Sequence, residues 1–389
     1  MQKFGVVLGI AGLVFTSACT GGGDTGLTGG VITGPTGSGS GGSGHGGSGG
    51  DGGAGGDGGA GQGGMGGQGG AGGSGQGGAG AGGGMPMEVF DPNKDGPFTV
   101  AEMDDNQWKA STGDTVPMHA AYPTAGPSDG PYPVVVVAHG FQIAASQYNG
   151  YLKRLASFGY VAVTPDYPTS FVAVDNTKST ENIRSALDWV ETKPALEGDT
   201  SLAGATGHSL GGKLAIYAAK LDARFKATIV LDPVDGSSGN PFEPNPMCNA
   251  PACIDVSAEL PIDKPTGFLG ETLDSMSGGF QPACAPAAEN FITFYAKATA
   301  PSLAVTLNGA NHVSFVDNTL TCGIACSQCK TPTLDNATVN ALSRAYVTAF
   351  YERYLRGNIA YSTYLTGAEA QARYVDTGIA TIQSKTFGP

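Results

Sequence analysis

The sequence predicts an α/β fold: a doubly wound, mostly parallel sheet with helices on both faces and no large lid. Residues 133–138 form a continuous apolar, β-branched run, typical of a strand buried on both faces of a parallel sheet. Strand-like runs then alternate with segments of helical spacing as far as residue 355, which is the pattern of a doubly wound sheet. Near the middle of the chain, a run of small and apolar residues at 201–206 precedes a Gly-Ser turn, and a segment of helical spacing follows that turn directly.

The strands are expected at short runs of apolar or β-branched residues. Short alternating runs within 98–123 indicate edge strands at the start of the sheet. The buried strands are expected, in chain order, at 133–138, 160–164, 201–206, 225–231, 266–270 and 302–307. Active sites of such sheets lie at the carboxyl ends of the strands, so the residues after each run are the candidates for chemistry.

Helices are expected between these strands, because apolar residues recur there every three to four positions. One helix is expected to begin at Ser179 or Thr180, whose hydroxyl groups suit a helix cap, and to run to about residue 191. The other helices are expected at 146–158, 210–221, 287–298 and 336–355.

Three segments are expected along the chain: a signal peptide at 1–19, a disordered Gly-rich tether at 20–86 and a catalytic domain at 87–389. The leader has a basic start, a short apolar stretch and small residues before Cys19, which is typical of a bacterial lipoprotein signal. Its apolar stretch is too short to span a membrane. We therefore expect export, with a lipid on Cys19 anchoring the protein to a membrane at the cell surface or in the periplasm; simple secretion is the alternative.

The tether is predicted from its composition. Residues 21–84 contain 38 glycines in 64 positions and almost no large apolar side chain. Such a segment cannot bury enough surface to offset the entropy of ordering glycine. The rest of the chain is long enough to form one domain around a single core.

The net charge of the chain limits which ligands it is expected to bind. A formal charge of −13 disfavours nucleic acid and strongly anionic substrates.

Setting Cys19 aside leaves six cysteines, an even number that favours disulfide bonds in an exported protein. Local pairs are expected, Cys248 with Cys253 and one or two within 322–329. A zinc site in that last segment is the disfavoured alternative, because no companion histidine or second C-x-x-C accompanies it.

The Gly-Ser turn reads Gly207-His208-Ser209-Leu210-Gly211, the G-x-S-x-G pattern of a nucleophile elbow. Such a turn holds its serine at strained backbone angles, and side chains at the two glycines would collide with the neighbouring strand or helix. The helix that starts beneath the serine favours negative charge developing there. Ser209 is therefore the candidate nucleophile. A plain Gly-Ser turn is the alternative, because Gly-rich chains produce the pattern by chance.

The chain order identifies a candidate general base. Of the five histidines only His312 follows Ser209, as the nucleophile, acid, histidine order of α/β-hydrolases requires. It lies in a loop after the strand-like run 302–307, from which an imidazole can reach the serine. His139 and His208 are expected to pack beside the site without transferring protons.

Several motifs resemble those of chlorophyllases and of cutinase-like polyester hydrolases. They are HGF at 139–141, RLASFGYVAVTPD at 154–166 and GHSLGG at 207–212. Further along the chain, LDPVDG at 231–236 and CAP at 284–286 resemble chlorophyllase motifs more closely. The resemblance implies an α/β-hydrolase fold and serine esterase activity without a cofactor or metal.

The same resemblance leaves two candidates for the acid that orients His312. In cutinase-like enzymes the acid follows the second strand after the elbow, which corresponds to Asp274. In chlorophyllases it follows the first such strand, which corresponds to Asp232. We favour Asp232 because the motif around it is the more distinctive, and Asp235 is a third, weaker candidate. The aspartate that is not the acid would cap a loop.

A serine-hydrolase mechanism would use these residues together. The backbone N–H groups of Phe141 and Leu210 are the expected oxyanion hole. The resemblance implies small-molecule or lipid-like hydrophobic esters as substrates, although Val234 cannot supply the aromatic clamp of polyester hydrolases. We expect a monomer. The alternatives are an acyltransferase and a surface-displayed, non-catalytic binding module on a hydrolase fold.

Overall fold

The computed structural model describes residues 88–169, 174–236, 253–278, 283–299 and 301–385. The predicted signal peptide with Cys19, the whole of the predicted tether and Cys248 lie outside these residues. The expected leader and tether therefore stay predictions from the sequence.

Within the described residues, nine strands form one sheet. They are β1 (Thr99–Asp105), β2 (Met118–Ala125), β3 (Tyr132–Ala138), β4 (Val161–Pro165), β5 (Gly198–Gly207), β6 (Phe225–Leu231), β7 (Thr266–Glu271), β8 (Ser302–Leu307) and β9 (Ala380–Lys385). Their order across the sheet is β1-β2-β4-β3-β5-β6-β7-β8-β9. Strands β3 to β8 pair in parallel, whereas β1 with β2, β2 with β4 and β8 with β9 pair antiparallel. The predicted mostly parallel sheet is confirmed.

Helices cover both faces of the sheet. They are α1 (Asn149–Ser157), α2 (Asn176–Glu191), α3 (Leu210–Leu221), α4 (Phe291–Lys297), α5 (Asn336–Tyr354), α6 (Ser362–Leu365) and α7 (Ala368–Ala370). Apolar residues of α2, α3 and α4 join one core cluster, and those of α1 and α5 join the other. Strand β3 shows why its run is continuously apolar: Val134 and Val136 face the first cluster, while Val135 and Val137 face the second.

The predicted start of α2 is wrong. The helix begins at Asn176, and the Asp175 carboxylate caps it by accepting the Lys178 backbone N–H at 2.9 Å. Ser179 and Thr180 are buried inside the helix, and the Thr180 hydroxyl donates back to the Asn176 carbonyl. An aspartate four residues upstream competes for the same role as a hydroxyl cap, and here it prevails.

Other differences lie at the ends of elements. The helix expected at 146–158 begins as a 3-10 turn, Ala145–Tyr148, before α1, and the helix expected at 287–298 is the shorter α4. Strand β9 was not expected, because its alternation is weak and its side chains are mostly exposed. It pairs with β8 and completes that edge of the sheet.

The disulfide pattern is only partly local. Cys322 pairs with Cys326 inside the expected segment, but Cys329 pairs with Cys284, which lies 45 residues away in sequence. The Cα atoms of these pairs are 5.9 Å and 5.6 Å apart, within the range that a disulfide requires. Cys253 is also disulfide-bonded. No helix in the described ranges is both long enough and apolar enough to cross a membrane.

Candidate active site

The turn between β5 and α3 presents Ser209 at the carboxyl edge of the sheet. Ser209 has φ 56° and ψ −124°, a strained backbone conformation for a non-glycine residue. Its N–H donates to the carbonyl of Leu231 at 3.0 Å, and its own carbonyl accepts from the N–H groups of Lys213 and Val234. Neighbours on several sides therefore hold the strained serine in place.

The two elbow glycines are required by close approach of the backbone. A Cβ atom at Gly207 would lie 2.3 Å from the carbonyl oxygen of Gly211. A Cβ atom at Gly211 would lie 2.3 Å from the carbonyl oxygen of His139. The helix can start directly against β3 and β5 only because neither glycine has a side chain, in agreement with the expected collisions.

His312 lies between Ser209 and a carboxylate. Its Nε2 atom is 2.8 Å from Ser209 Oγ, and its Nδ1 atom is 2.6 Å from Asp232 Oδ2. Because an ionised carboxylate can only accept, Nδ1 carries the proton and Nε2 accepts from the serine hydroxyl. Ser209 is only 5 % exposed and His312 only 6 %, so water screens this chain of hydrogen bonds weakly.

Asp232 follows β6 directly and is completely buried. Its φ of 41° turns the chain sharply after the strand, and its N–H donates to the carbonyl of Leu269 at 2.6 Å. Burial raises the pKa of Asp232, while the hydrogen bond from His312 acts in the opposite direction. Its ionised form therefore depends on the imidazole that it contacts.

Asp274 also reaches His312, but through the main chain. Its Oδ2 atom accepts the backbone N–H of His312 at 2.9 Å, and its Oδ1 atom accepts that of Lys330 at 3.0 Å. Asp235 lies elsewhere, 3.3 Å from the buried ammonium of Lys213. Of the three candidate aspartates, Asp232 is the one hydrogen-bonded to the imidazole ring.

A third buried acid, Glu271, was not predicted from the sequence; it lies close to Asp232 and Asp274. Glu271 ends β7, and its Oε2 atom accepts the backbone N–H groups of Leu273 and Asp274. Burial, reinforced by the charge of Asp232, raises the pKa of Glu271 to about 8. Its position at the carboxyl end of a predicted parallel strand was the available signal.

Glu271→Gln is expected to change the pH dependence of stability. A free glutamate titrates near 4.5, so between about pH 4.5 and pH 8 the folded protein keeps a proton that the unfolded chain releases. The free energy of unfolding of the wild type should therefore fall with rising pH across this window, and part of that fall should be missing in the variant. Thermal unfolding of both proteins across the window measures the difference. Parallel curves would mean that Glu271 does not hold this proton.

The oxyanion-hole candidates lie at the start of α3 and in the loop after β3. Leu210 is the first residue of α3, where a backbone N–H has no partner within the helix. Phe141 lies in the loop that leaves β3, the strand next to β5. Gly140 in this loop donates its N–H to the Tyr148 hydroxyl at 3.2 Å, which fixes the loop against the core.

His139 and His208 pack beside the site, as expected. His139 is buried and stacks on Tyr167, with ring centroids 4.0 Å apart. His208 is fully buried, and its ring centroid is 4.8 Å from that of His312. Burial lowers the pKa of both rings.

One group of potential metal ligands comes together in the described part of the chain. The donor atoms of Asp274, Cys284 and Cys329 lie within 4.8 Å of one another. The two sulfur atoms are joined in a disulfide, so neither can act as a thiolate ligand. Asp274 therefore lies next to a disulfide bond that joins two loops.

Comparison with known proteins gives consistent results. The family model for chlorophyllase matches residues 87–372. Chlorophyllase-1 of Arabidopsis thaliana is 28 % identical over 225 residues, which cover 54 % of this chain and 66 % of that protein. Chlorophyllase type 0 of Chenopodium album is 25 % identical over 253 residues, 58 % of this chain and 69 % of that one.

A bacterial protein is also similar. Bis(hydroxyethyl) terephthalate hydrolase of Streptomyces coelicolor is 35 % identical over 114 residues, which cover 29 % of this chain and 36 % of that protein. The chain thus spans just under two thirds of the Arabidopsis relative and about a third of the Streptomyces one.

Proposed function

This chain belongs to the chlorophyllase family, and from that membership we propose that it is a serine carboxylic-ester hydrolase whose catalytic triad is Ser209, His312 and Asp232. One observation carries the proposal: the hydrogen bonds from Ser209 Oγ to His312 and from His312 to Asp232 Oδ2, at 2.8 Å and 2.6 Å. A serine in a strained elbow, an imidazole with its acceptor nitrogen facing that serine, and a buried carboxylate behind the ring are the parts of acyl-transfer catalysis.

The proposed mechanism has two halves. Ser209 Oγ attacks the ester carbonyl while His312 Nε2 takes the serine proton, and the imidazolium then gives that proton to the leaving alcohol. Water enters next, and His312 takes a proton from it as it attacks the acyl-enzyme; the acid is released and Ser209 regains its proton. Asp232 keeps the imidazole in the reactive tautomer and stabilises its charged form in both halves.

The developing oxyanion needs donors on the opposite side of the carbonyl. We assign this role to the backbone N–H groups of Leu210 and Phe141. The start of α3 adds the positive end of a helix dipole near the same point. Neither donor depends on a side chain, so alanine substitution at these positions would not test them.

The substrates that we propose are uncharged, hydrophobic acyl or alkyl esters. Val234 is buried next to the nucleophile and donates its N–H to the Ser209 carbonyl at 3.3 Å, so an apolar side chain borders the elbow. The charge of −13 disfavours anionic substrates. The Streptomyces relative is named for a diester, which is consistent with an ester substrate class.

Hydrolysis of p-nitrophenyl esters from acetate to dodecanoate by the full chain tests this function. We expect turnover across the series, with kcat/KM rising from acetate to medium chain lengths as more apolar surface is buried. No turnover on any ester would contradict the proposal and favour a non-catalytic binding module. Faster release of p-nitrophenol when a second alcohol is added would favour acyl transfer.

We also propose that the protein is exported as a monomer and anchored through a lipid on Cys19. The lipoprotein-type leader supports this, and so do the disulfides Cys284–Cys329 and Cys322–Cys326, which are typical of oxidising compartments. Cys19→Ala should move the protein from the membrane fraction to the soluble fraction of a bacterial host. If the variant stays with the membrane, Cys19 is not the anchor.

A further inference from the structure

The His208 side chain lies between the elbow and the turn that carries His312. Its Nε2 atom is 2.8 Å from the backbone carbonyl oxygen of His312, and its Nδ1 atom is 2.8 Å from the Tyr148 hydroxyl. A carbonyl can only accept, so Nε2 carries the proton, and Nδ1 accepts from the tyrosine. Both ring nitrogens of a neutral His208 are thus satisfied, and the tautomer is fixed by its neighbours.

The hydrogen bonds continue from Tyr148 into the oxyanion loop. While the Tyr148 hydroxyl donates to His208, it accepts the backbone N–H of Gly140 at 3.2 Å. Gly140 immediately precedes Phe141, the proposed second oxyanion donor. Three hydrogen bonds therefore connect the backbone of the oxyanion loop to the backbone of His312.

This connection is buried and closely packed. Tyr148 and His208 are both 0 % exposed, so no hydrogen bond to bulk water can replace a lost partner. A Cβ atom at Gly140 would lie 3.3 Å from both the His208 ring and the Tyr148 hydroxyl. There is little room for a water molecule to take over the role of either side chain.

His312 is consequently held at both of its peptide groups. Asp274 accepts its N–H at 2.9 Å, and His208 donates to its carbonyl at 2.8 Å. The ring of His312 is meanwhile directed by Asp232. Fixing the main chain and the ring separately limits the displacement of Nε2 from Ser209, and reaction rates are sensitive to displacements of about 1 Å.

We propose that His208 and Tyr148 are positioning residues that couple the oxyanion loop to the general base. They fix the position of the Phe141 N–H relative to the His312 imidazole on either side of Ser209. This inference rests on the proposed esterase function. It goes beyond the expectation that His208 only packs beside the site, because it assigns the residue a specific tautomer and two partners. Neither residue touches the reacting atoms.

Tyr148→Phe tests the coupling by removing one oxygen atom. Tyr151→Phe is the matched control: Tyr151 is also fully buried, and its hydroxyl donates to the Phe315 carbonyl of the same 3-10 turn that begins at His312. It contacts neither Gly140 nor His208 through that hydroxyl. Tyr148→Phe loses two buried hydrogen bonds, and Tyr151→Phe loses the one to Phe315, so both melting temperatures should fall, that of Tyr148→Phe by more.

The two variants should differ in kinetics. Complete loss of one oxyanion donor lowers the rate about 10²- to 10³-fold. In Tyr148→Phe the Phe141 N–H is displaced but still present, so kcat should fall less, about 10- to 100-fold. KM should stay within about twofold, because the coupling acts on the transition state. Affinity for an alkyl boronic acid, which mimics the tetrahedral intermediate, should fall in parallel with kcat/KM. Tyr151→Phe should change kcat less than about threefold.

His208→Gln and His208→Ala provide a second test. The glutamine amide can still donate to the His312 carbonyl, so this variant should retain more activity than alanine. Equal kcat values for Tyr148→Phe and Tyr151→Phe, or full activity in Tyr148→Phe, would overturn the coupling while leaving the esterase function intact. An inactive wild type would instead refute the esterase function, and the coupling with it.

Discussion

Ser209→Ala is expected to lower kcat/KM by on the order of 10⁵- to 10⁶-fold, the scale seen when the nucleophile of a serine triad is removed. Without Oγ no acyl-enzyme can form, and the imidazole loses the proton donor 2.8 Å from its Nε2 atom. Residual turnover would come only from substrate binding and the oxyanion donors. The melting temperature should be nearly unchanged, because alanine keeps the Cβ atom and the backbone conformation of the elbow.

Initial rates on a p-nitrophenyl ester and a thermal melt of the same preparation measure both quantities. Activity within about tenfold of the wild type would mean that another residue is the nucleophile. A large loss of melting temperature would mean that Ser209 is needed for folding, and the rate would then say nothing about catalysis.

Asp232→Asn is expected to lower kcat about 10⁴-fold, as in triads whose acid is replaced by its amide. An asparagine that donates to Nδ1 would favour the tautomer with the proton on Nε2, which cannot accept the proton of Ser209. The cost should appear mainly in kcat, because the shape of the site is retained. Because Asp232 is buried, a water molecule cannot replace its carboxylate as the acceptor for His312 Nδ1.

Asp274→Asn is the matched control for that variant. Asp274 accepts two backbone N–H groups, and an amide can accept only one of them while its NH₂ group opposes the other. We expect a lower melting temperature and a loss of rate no larger than about tenfold, since the imidazole keeps its own acid. A loss of rate at Asp274 as large as that at Asp232 would contradict the assignment of the acid.

The sequence predicted the parts of the site that follow from chain order. The elbow and the position of His312 after a late strand are local features, and the six parallel strands lie at the predicted apolar runs. The family resemblance is confirmed by the match over residues 87–372.

The choice of acid could not be derived from periodicity. Asp232 and Asp274 follow β6 and β7, which are neighbours in a parallel sheet, so both carboxylates end near His312. One contacts the ring and the other the backbone N–H, a difference that depends on a turn with positive φ at Asp232. Sequence patterns do not resolve differences of this size.

Contacts distant in sequence were also beyond prediction. Tyr148 and His208 are 60 residues apart and have no shared motif, yet their polar atoms are 2.8 Å apart. The disulfide between Cys284 and Cys329 likewise joins two loops that only the fold brings together. The sheet topology creates these neighbours, because it places the loops after several strands at one edge.

Reaction of the full chain with a fluorophosphonate, followed by peptide mapping, tests the central claim most directly. A single adduct on Ser209 is expected, formed by Asp274→Asn within about tenfold of the wild-type rate and by Asp232→Asn far more slowly. No adduct, or an adduct on another residue, would contradict it.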